Sequence, residues 1–413
     1  MNAKVATIHQ KHSVQKDLSV GLLTPFKATK LEWQAYDFYL NRAASNLAGQ
    51  MDRDFWYELV LQASQHEPSV RHAIFAIGCL TRHASDYGPY QDTGMSSQYM
   101  TSAIKHYNKA ISYLRDYVPL SSDDQIPLIS CTLFICMESM IGNAEAAMFL
   151  ILNGISMMLA REALCYDSTS PVTRLIQRMR IYFPLSCTGK QWDDPESDYR
   201  ITGQESFTSL HDARQSLVAT VLSCIRVIQH PGWIQSFTDG EHLAPLAARD
   251  QLLSQLDSWL VHAQLLLLPL QGTETYGFLV SLRTLVWLWV TCVVSPSEYS
   301  FQRHESCFRF IVDTATKWLH SRSQTNDRDR LAEYFCFETG WLELLYQTSL
   351  KCRKPSLRVR IRELMTLTPR REGLMERERL IAAVELVARF ETTERLCRDV
   401  ALEACGDEHD PTK

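Results

Sequence analysis

Four carboxylates crowd the stretch Asp193-Asp194-Pro195-Glu196-Ser197-Asp198. Clustered oxygens suit magnesium, which takes hard oxygen ligands. An all-helical, magnesium-dependent enzyme would use such a set. The spacing is not Asp-Asp-x-x-Asp, and Pro195 puts the carboxylates in a loop rather than on one helix face. A solvated loop is the reading that the charge pattern favours. His9 with His12, and His304 with Cys307, have the separation of paired metal ligands. A structural zinc site wants four ligands, and neither pair has a second pair close in sequence. No metal ligand and no cofactor is therefore expected. Phosphate-loop, dinucleotide, serine-elbow and His-Glu-x-x-His patterns do not occur in the sequence. No catalytic residue is singled out, and the common catalytic motifs are set aside.

The densest positive run extends from Lys351 to Arg379, with ten Lys or Arg and four Glu. Its candidate interaction residues are Arg353, Lys354, Arg358, Arg362, Arg370 and Arg371. Arg358 and Arg362 share a helix face, while Arg360 points elsewhere. Such a surface would receive phosphate or an acidic partner. Pairing with Glu363, Glu372, Glu376 and Glu378 is the plainer reading. Trp287, Trp289, Phe134, Phe149, Tyr107 and Tyr113 sit at helical spacing, which makes them core first. A pocket between helices for a small-molecule effector is the second reading.

Helices must position all of these groups. Thr29-Lys30-Leu31-Glu32 is a capping box: the Thr hydroxyl accepts from a free amide and Glu32 reciprocates. Leu31, Ala35, Phe38 and Tyr39 then fall on one face, and Gly49 is a stop. Pro68 opens a helix carrying Val70, Ala73, Ile74, Ile77 and Leu80. Met100, Ala103, Ile104, Tyr107, Ile111, Leu114 and Val118 step by three and four. Gly142-Asn143 divides the next apolar run into helices at about 124–141 and 144–162. Another starts at Ser170-Pro171 and ends by Pro184. Helices resume near Phe207 and cover about 246–267, 275–294, 300–320, 328–350, 355–367 and 375–400. Almost nothing alternates with period two. The expected fold is all-α, an irregular, α-solenoid-like array of antiparallel helical hairpins with no significant sheet. The expected organisation is a flexible arm at 1–28, a helical domain at 29–400 with a sub-boundary in the 187–205 loop, and a polar tail at 401–413.

Hydrophobic residues make up 46% and charged residues 22%, which is a globular composition and not a disordered one. The formal net charge of -5 argues against coating nucleic acid, because neutralising phosphate needs a basic surface. The 12 cysteines are scattered with no Cys-x-x-Cys pair, which suits thiols in a reducing compartment. Thr284 to Val294 is too short for a membrane span, and Glu138, Asn143, Glu145 and Asn153 interrupt the run from Ile126 to Leu159. Both read as core helices, so no membrane partner is expected.

A set of short motifs recurs in a fixed order. It begins with Phe55-Trp56, Leu59 to Ser64, Glu67-Pro68, Val70-Arg71-His72-Ala73 and Ile77-Gly78. His106-Tyr107-Asn108-Lys109-Ala110-Ile111, Leu133 to Glu138, Gly142 and Asn153-Gly154 follow. Phe207, Ala213-Arg214, Trp259, Phe335 to Trp341, Cys352-Arg353 and Arg370-Arg371-Glu372-Gly373 complete it. In this order, from about residue 31 to 395, the chain resembles the fungal-specific transcription factor domain, the regulatory helical region of binuclear zinc-cluster transcription factors. The resemblance implies a nuclear regulator of metabolic genes or a secondary-metabolite cluster, without catalysis, and a share of it in the cytoplasm is expected as well. Such regulators usually carry a six-cysteine zinc cluster near the N-terminus, whereas the first cysteine here is Cys79, inside a helical pattern. The zinc cluster and direct DNA reading are therefore not carried over. DNA would be reached indirectly, by docking on other transcription regulators or by dimerising.

Overall fold

The computed structural model describes residues 26–49, 52–87, 98–119, 124–162, 170–180, 207, 209–229, 243–293, 298–324, 335–338 and 340–406. Helix α1 is continuous through Lys30–Phe38, a π-helical turn at Tyr39–Ala43, and Ala44–Ala48. Its start is the expected capping box: the Thr29 amide donates to Glu32 Oε2 at 2.7 Å, and the Glu32 amide donates to Thr29 Oγ1 at 3.3 Å. It stops at Gly49. Helix α2 begins with π-helical turns at Asp54–Leu59 and continues as Val60–His66. The π geometry turns Phe55 and Trp56 together into the core, where both are fully buried.

Helices α3 (Pro68–Tyr87), α4 (Gln98–Arg115), α5 (Ile126–Ile141), α6 (Ala144–Glu162) and α7 (Pro171–Met179) complete the N-terminal half. α3 is central, packing on α1, α4 and α5. Its Gly78 lets α1 come close, since a Cβ there would lie 2.0 Å from the Ala35 carbonyl oxygen. Trp56, Ile74, Phe75, Leu133 and Ile135 form the middle of this first core. Each such side chain contributes about 1.5–3 kcal/mol by leaving water.

The C-terminal half holds α8 (Leu210–Gln229), α9 (Leu243–Leu266), α10 (Glu274–Cys292) and α11 (Glu305–Gln324). Strand β1 (Phe335–Cys336), α12 (Trp341–Lys351), α13 (Pro355–Thr366), β2 (Arg371–Glu372), β3 (Met375–Glu376) and α14 (Arg377–Gly406) follow. A core between α8, α9 and α10 centres on Leu217, Leu256, Trp259 and Val290. Another, between α10 and the last four helices, centres on Leu288, Ile311, Leu345 and Ile361. α10 serves both, which explains an apolar composition that α6 shares. By length and composition either helix would cross a membrane, but α10 is mostly buried within the protein.

Among the described residues the fold is all-α apart from a sheet of three two-residue strands in the order β1-β2-β3. One expected element changes. A helix spanning 328–350 is not formed, because Phe335–Cys336 is extended and α12 starts only at Trp341. Phe335 and Phe337 are both buried, with Cys336 between them, an alternation too short to stand out in sequence.

Candidate functional site: a polar junction beside an apolar cavity

The two halves meet at the segment Phe335 to Trp341. Phe335 and Phe337 belong to the N-terminal core, where the Phe337 ring meets Trp56 edge-on at 5.3 Å. Trp341, six residues on from Phe335, belongs to the C-terminal core and donates from Nε1 to Glu274 Oε1 at 3.0 Å. β1 fixes this crossing by pairing in parallel with β2, Phe335 opposite Arg371 and Cys336 opposite Glu372. β2 then turns back through Gly373 (φ 53°) to pair with β3.

The two residues of β2 carry opposite charges to opposite helix ends. The Glu372 carboxylate accepts from the free amides of Gly340 and Leu342 at 2.9 and 3.0 Å, at the N-terminus of α12. Arg371 donates from Nη1 to the Ser139 carbonyl at 3.0 Å, in the last turn of α5. An anion at a helix N-terminus and a cation at a C-terminus both complement the helix dipole. Gly142 ends α5 with φ 93°, and a Cβ on it would sit 2.5 Å from Arg371 Nη1. The glycine is thus required twice, by its backbone and by the guanidinium above it.

Beside this clamp lies a buried ionic cluster. Asp52, after α1, pairs with Arg178 of α7. Glu338 pairs with Arg214 of α8 at 3.0 Å and with Arg178 at 3.5 Å. Arg174 pairs with Asp54 at the edge. Burial pushes the Glu338 carboxyl up to about 7 despite its two arginines. Burial also raises Asp52, but the hydrogen bond with Glu338 and the charges of Arg178 and Arg214 bring it below the usual carboxylate range. The two carboxyls titrate as a pair that shares a proton.

Arg178 and Arg214 also form one end of a cavity of about 710 Å³, counting its mouth. Val218 and Val221 of α8, Leu282 and Trp289 of α10, and Leu344 of α12 make its walls apolar. It has room for a few waters or one small molecule. Two polar side chains of α12 face it, Glu343 and Gln347, joined by a 2.8 Å hydrogen bond from Gln347 Nε2 to Glu343 Oε1. Glu343 is only 3% exposed, and its Oε2 has no hydrogen-bond partner. Burial raises this carboxyl to about 7. The arrangement offers an apolar slot with an unsatisfied acceptor on one wall. It holds no nucleophile paired to a base.

Residues 34–183 match a family described as the fungal specific transcription factor domain. Over that segment, about a third of its length, the chain is similar to this family. No curated protein and no solved structure gives a significant match. The description of that family points to transcriptional regulation. The matched region supplies one side of the junction, with Asp52, Ser139, Gly142 and Arg178. Arg214, Glu338, Arg371 and Glu372 complete the junction from outside it.

The basic residues singled out from the sequence all have intramolecular partners. Arg353 and Arg358 pair with Glu391, and Lys354 with Glu305. Arg362 pairs with Glu385 and Arg370 with Glu378, both toward solvent. Arg371 alone of the six reaches into the junction. Of the aromatic candidates, Trp289 lines the cavity and Phe134 is core. Tyr107 donates to Glu138 Oε1 at 2.7 Å, Tyr113 stacks on His72, and Phe149 is exposed. Trp287 packs partly buried between the two C-terminal cores. Asp193, Asp194, Glu196 and Asp198, the 187–205 loop and the His9/His12 pair lie outside the described residues. His304 packs edge-on against Trp287. Sequence reasoning missed Asp52, Arg178 and Glu343. Asp52 and Arg178 stand among other charged residues in sequence, and only burial sets them and Glu343 apart. A charge on an otherwise apolar helical face, as at Glu343 in α12, was the available signal.

Proposed function

We propose that this chain regulates metabolic genes, secondary-metabolite clusters among them, through protein–protein contacts of its helical domain. It reaches DNA through another transcription regulator or a second copy of itself. Its location is the nucleus with a share in the cytoplasm. The observation that supports contact-mediated action is exposed apolar surface on and after α4. Ile104 and Ile111, seven apart on the helix, are 48% and 43% exposed, and Val118, just beyond its end, is 77% exposed. Leu386 and Phe390 of α14 form a second exposed pair. Apolar groups lined up along one helix face commonly mark partner surfaces. The basic residues Arg353, Lys354, Arg358, Arg362, Arg370 and Arg371 would favour an acidic partner that exchanged with their present glutamate or carbonyl partners. The test fuses the chain to a heterologous DNA-binding domain and reads a reporter. Activation or repression that Ile111→Glu abolishes, with the fold intact by circular dichroism, is expected. A silent fusion, with an unchanged transcript profile when the chain is removed from its host, refutes the proposal.

A second reading makes the chain a sensor of a small metabolite. The observation favouring it is the cavity, with Glu343 on its wall and the ion pairs of the junction at its end. A ligand there would touch α8, α10 and α12 together and so bias how the halves meet. Calorimetric titration with hexylamine and hexanol tests it. Saturable binding lost in Glu343→Leu supports it, and no binding of either probe counts against it.

A further inference from the structure

We propose that Glu32, His72 and His106 form a site for one divalent transition-metal ion of the zinc type, joining α1, α3 and α4. Each offers one ligand atom, and the three atoms lie within 4.8 Å of one another. His72 Nδ1 and His106 Nδ1 face each other at 2.9 Å. Two nitrogens bound at about 2.0–2.1 Å to a tetrahedral metal stand about 3.3 Å apart. The rings need to part by only about 0.4 Å, within the reach of a small χ rotation.

All three ligands are held before a metal arrives. The capping box fixes Glu32 through Oε2, while its Oε1 lies 3.9 Å from His106 Nε2. His72 is sandwiched, stacked on Tyr113 at 5.3 Å and on His106 at 5.1 Å, with Phe75 edge-on at 5.6 Å. His106 is buried. Gly78 brings α1 close enough to α3 for Glu32 to reach the pair. Two imidazole rings facing through the same nitrogen at 2.9 Å must share either a proton or a cation. The nearby Lys109 ammonium opposes a cation, and the Glu32 carboxylate offsets it. Two imidazoles and one carboxylate, with a fourth position for water, suit Zn²⁺ and Co²⁺. In sequence the two histidines are 34 residues apart, so spacing gave no hint of the site.

The test titrates Co²⁺ into chelator-treated full-length chain. One equivalent should bind with the visible d–d bands of a tetrahedral site and without near-ultraviolet thiolate charge transfer. The thermal midpoint should rise by about 3 °C at a hundredfold excess over Kd. His72→Gln and His106→Gln should abolish the d–d bands. Glu32→Gln keeps a capping box but should weaken binding by about 10- to 100-fold. If the histidine variants misfold, X-ray absorption of the zinc-loaded wild type decides the matter, because two imidazole shells support the site and sulfur ligation overturns it. No saturable binding, or binding that both histidine variants retain, also overturns it. The pair is then a single imidazole–imidazole hydrogen bond.

Discussion

Replacing Glu343 by glutamine should stabilise the protein at alkaline pH and leave it unchanged in acid. The carboxyl titrates near 4.5 in an unfolded chain and at about 7 in the fold, because burial penalises its charged form. The folded state therefore holds a proton that the unfolded state has released. A raised carboxyl pKa gives stability that is fully present below pH 4.5 and is lost as pH rises through 7. The difference of about 2.5 units corresponds to about 3 kcal/mol once pH exceeds 8, and to less than about 1 kcal/mol at pH 5. Glutamine mimics the neutral acid in shape, and its carbonyl can still accept from Gln347 Nε2. The two proteins should coincide near pH 4.5 and separate by about 3 kcal/mol at pH 8. Urea unfolding followed by tryptophan fluorescence, with Trp289 on the cavity wall and Trp341 two residues before Glu343, reads the difference. Glu338 titrates in both proteins and cancels. Parallel profiles with a constant offset would refute the reasoning. They would mean that Glu343 is ionised in the fold, with water in the cavity solvating it.

Three further outcomes follow from the junction. Arg371→Met leaves the Ser139 carbonyl and the α5 terminus without their buried cation and should cost about 2–4 kcal/mol in denaturant unfolding, whereas Arg362→Ala, an exposed pair, should cost less than about 1 kcal/mol. Gly142→Ala should cost about 2 kcal/mol or more, and combining it with Arg371→Met should cost less than the sum, because the clash with Nη1 is gone while the positive φ remains. Asp52→Asn should cost about 3–5 kcal/mol by leaving Arg178 short of its carboxylate, and amide hydrogen exchange should show the loss concentrated in α7 and α8.

The helices were legible because each announces itself locally. Thr29 and Glu32 made a capping box, Pro68 and Pro171 opened helices, and Gly142 split one apolar run into two, all within a few residues of where they act. The motifs at 335–341 and 369–373 were legible only as a family pattern. What they do was hidden, because Arg371 meets Ser139 across a separation of 232 residues, and Glu372 meets Gly340 across 32. The same distance in sequence hid His72 from His106, and Asp52 from Arg178.

Period and capping act over one or two turns of chain, so the amino-acid sequence by itself determined that this protein is helical, where most helices begin, and which residues are apolar enough to be core. Pairing between charges depends on which turns come to lie side by side. Only the tertiary structure decided that the basic run is tied internally to glutamates, that a two-residue strand hands one charge to each half, and that one carboxyl of α12 is stranded beside a cavity. Electrostatic partners are set by distance in space, and a helical chain that doubles back on itself keeps that distance out of the linear order.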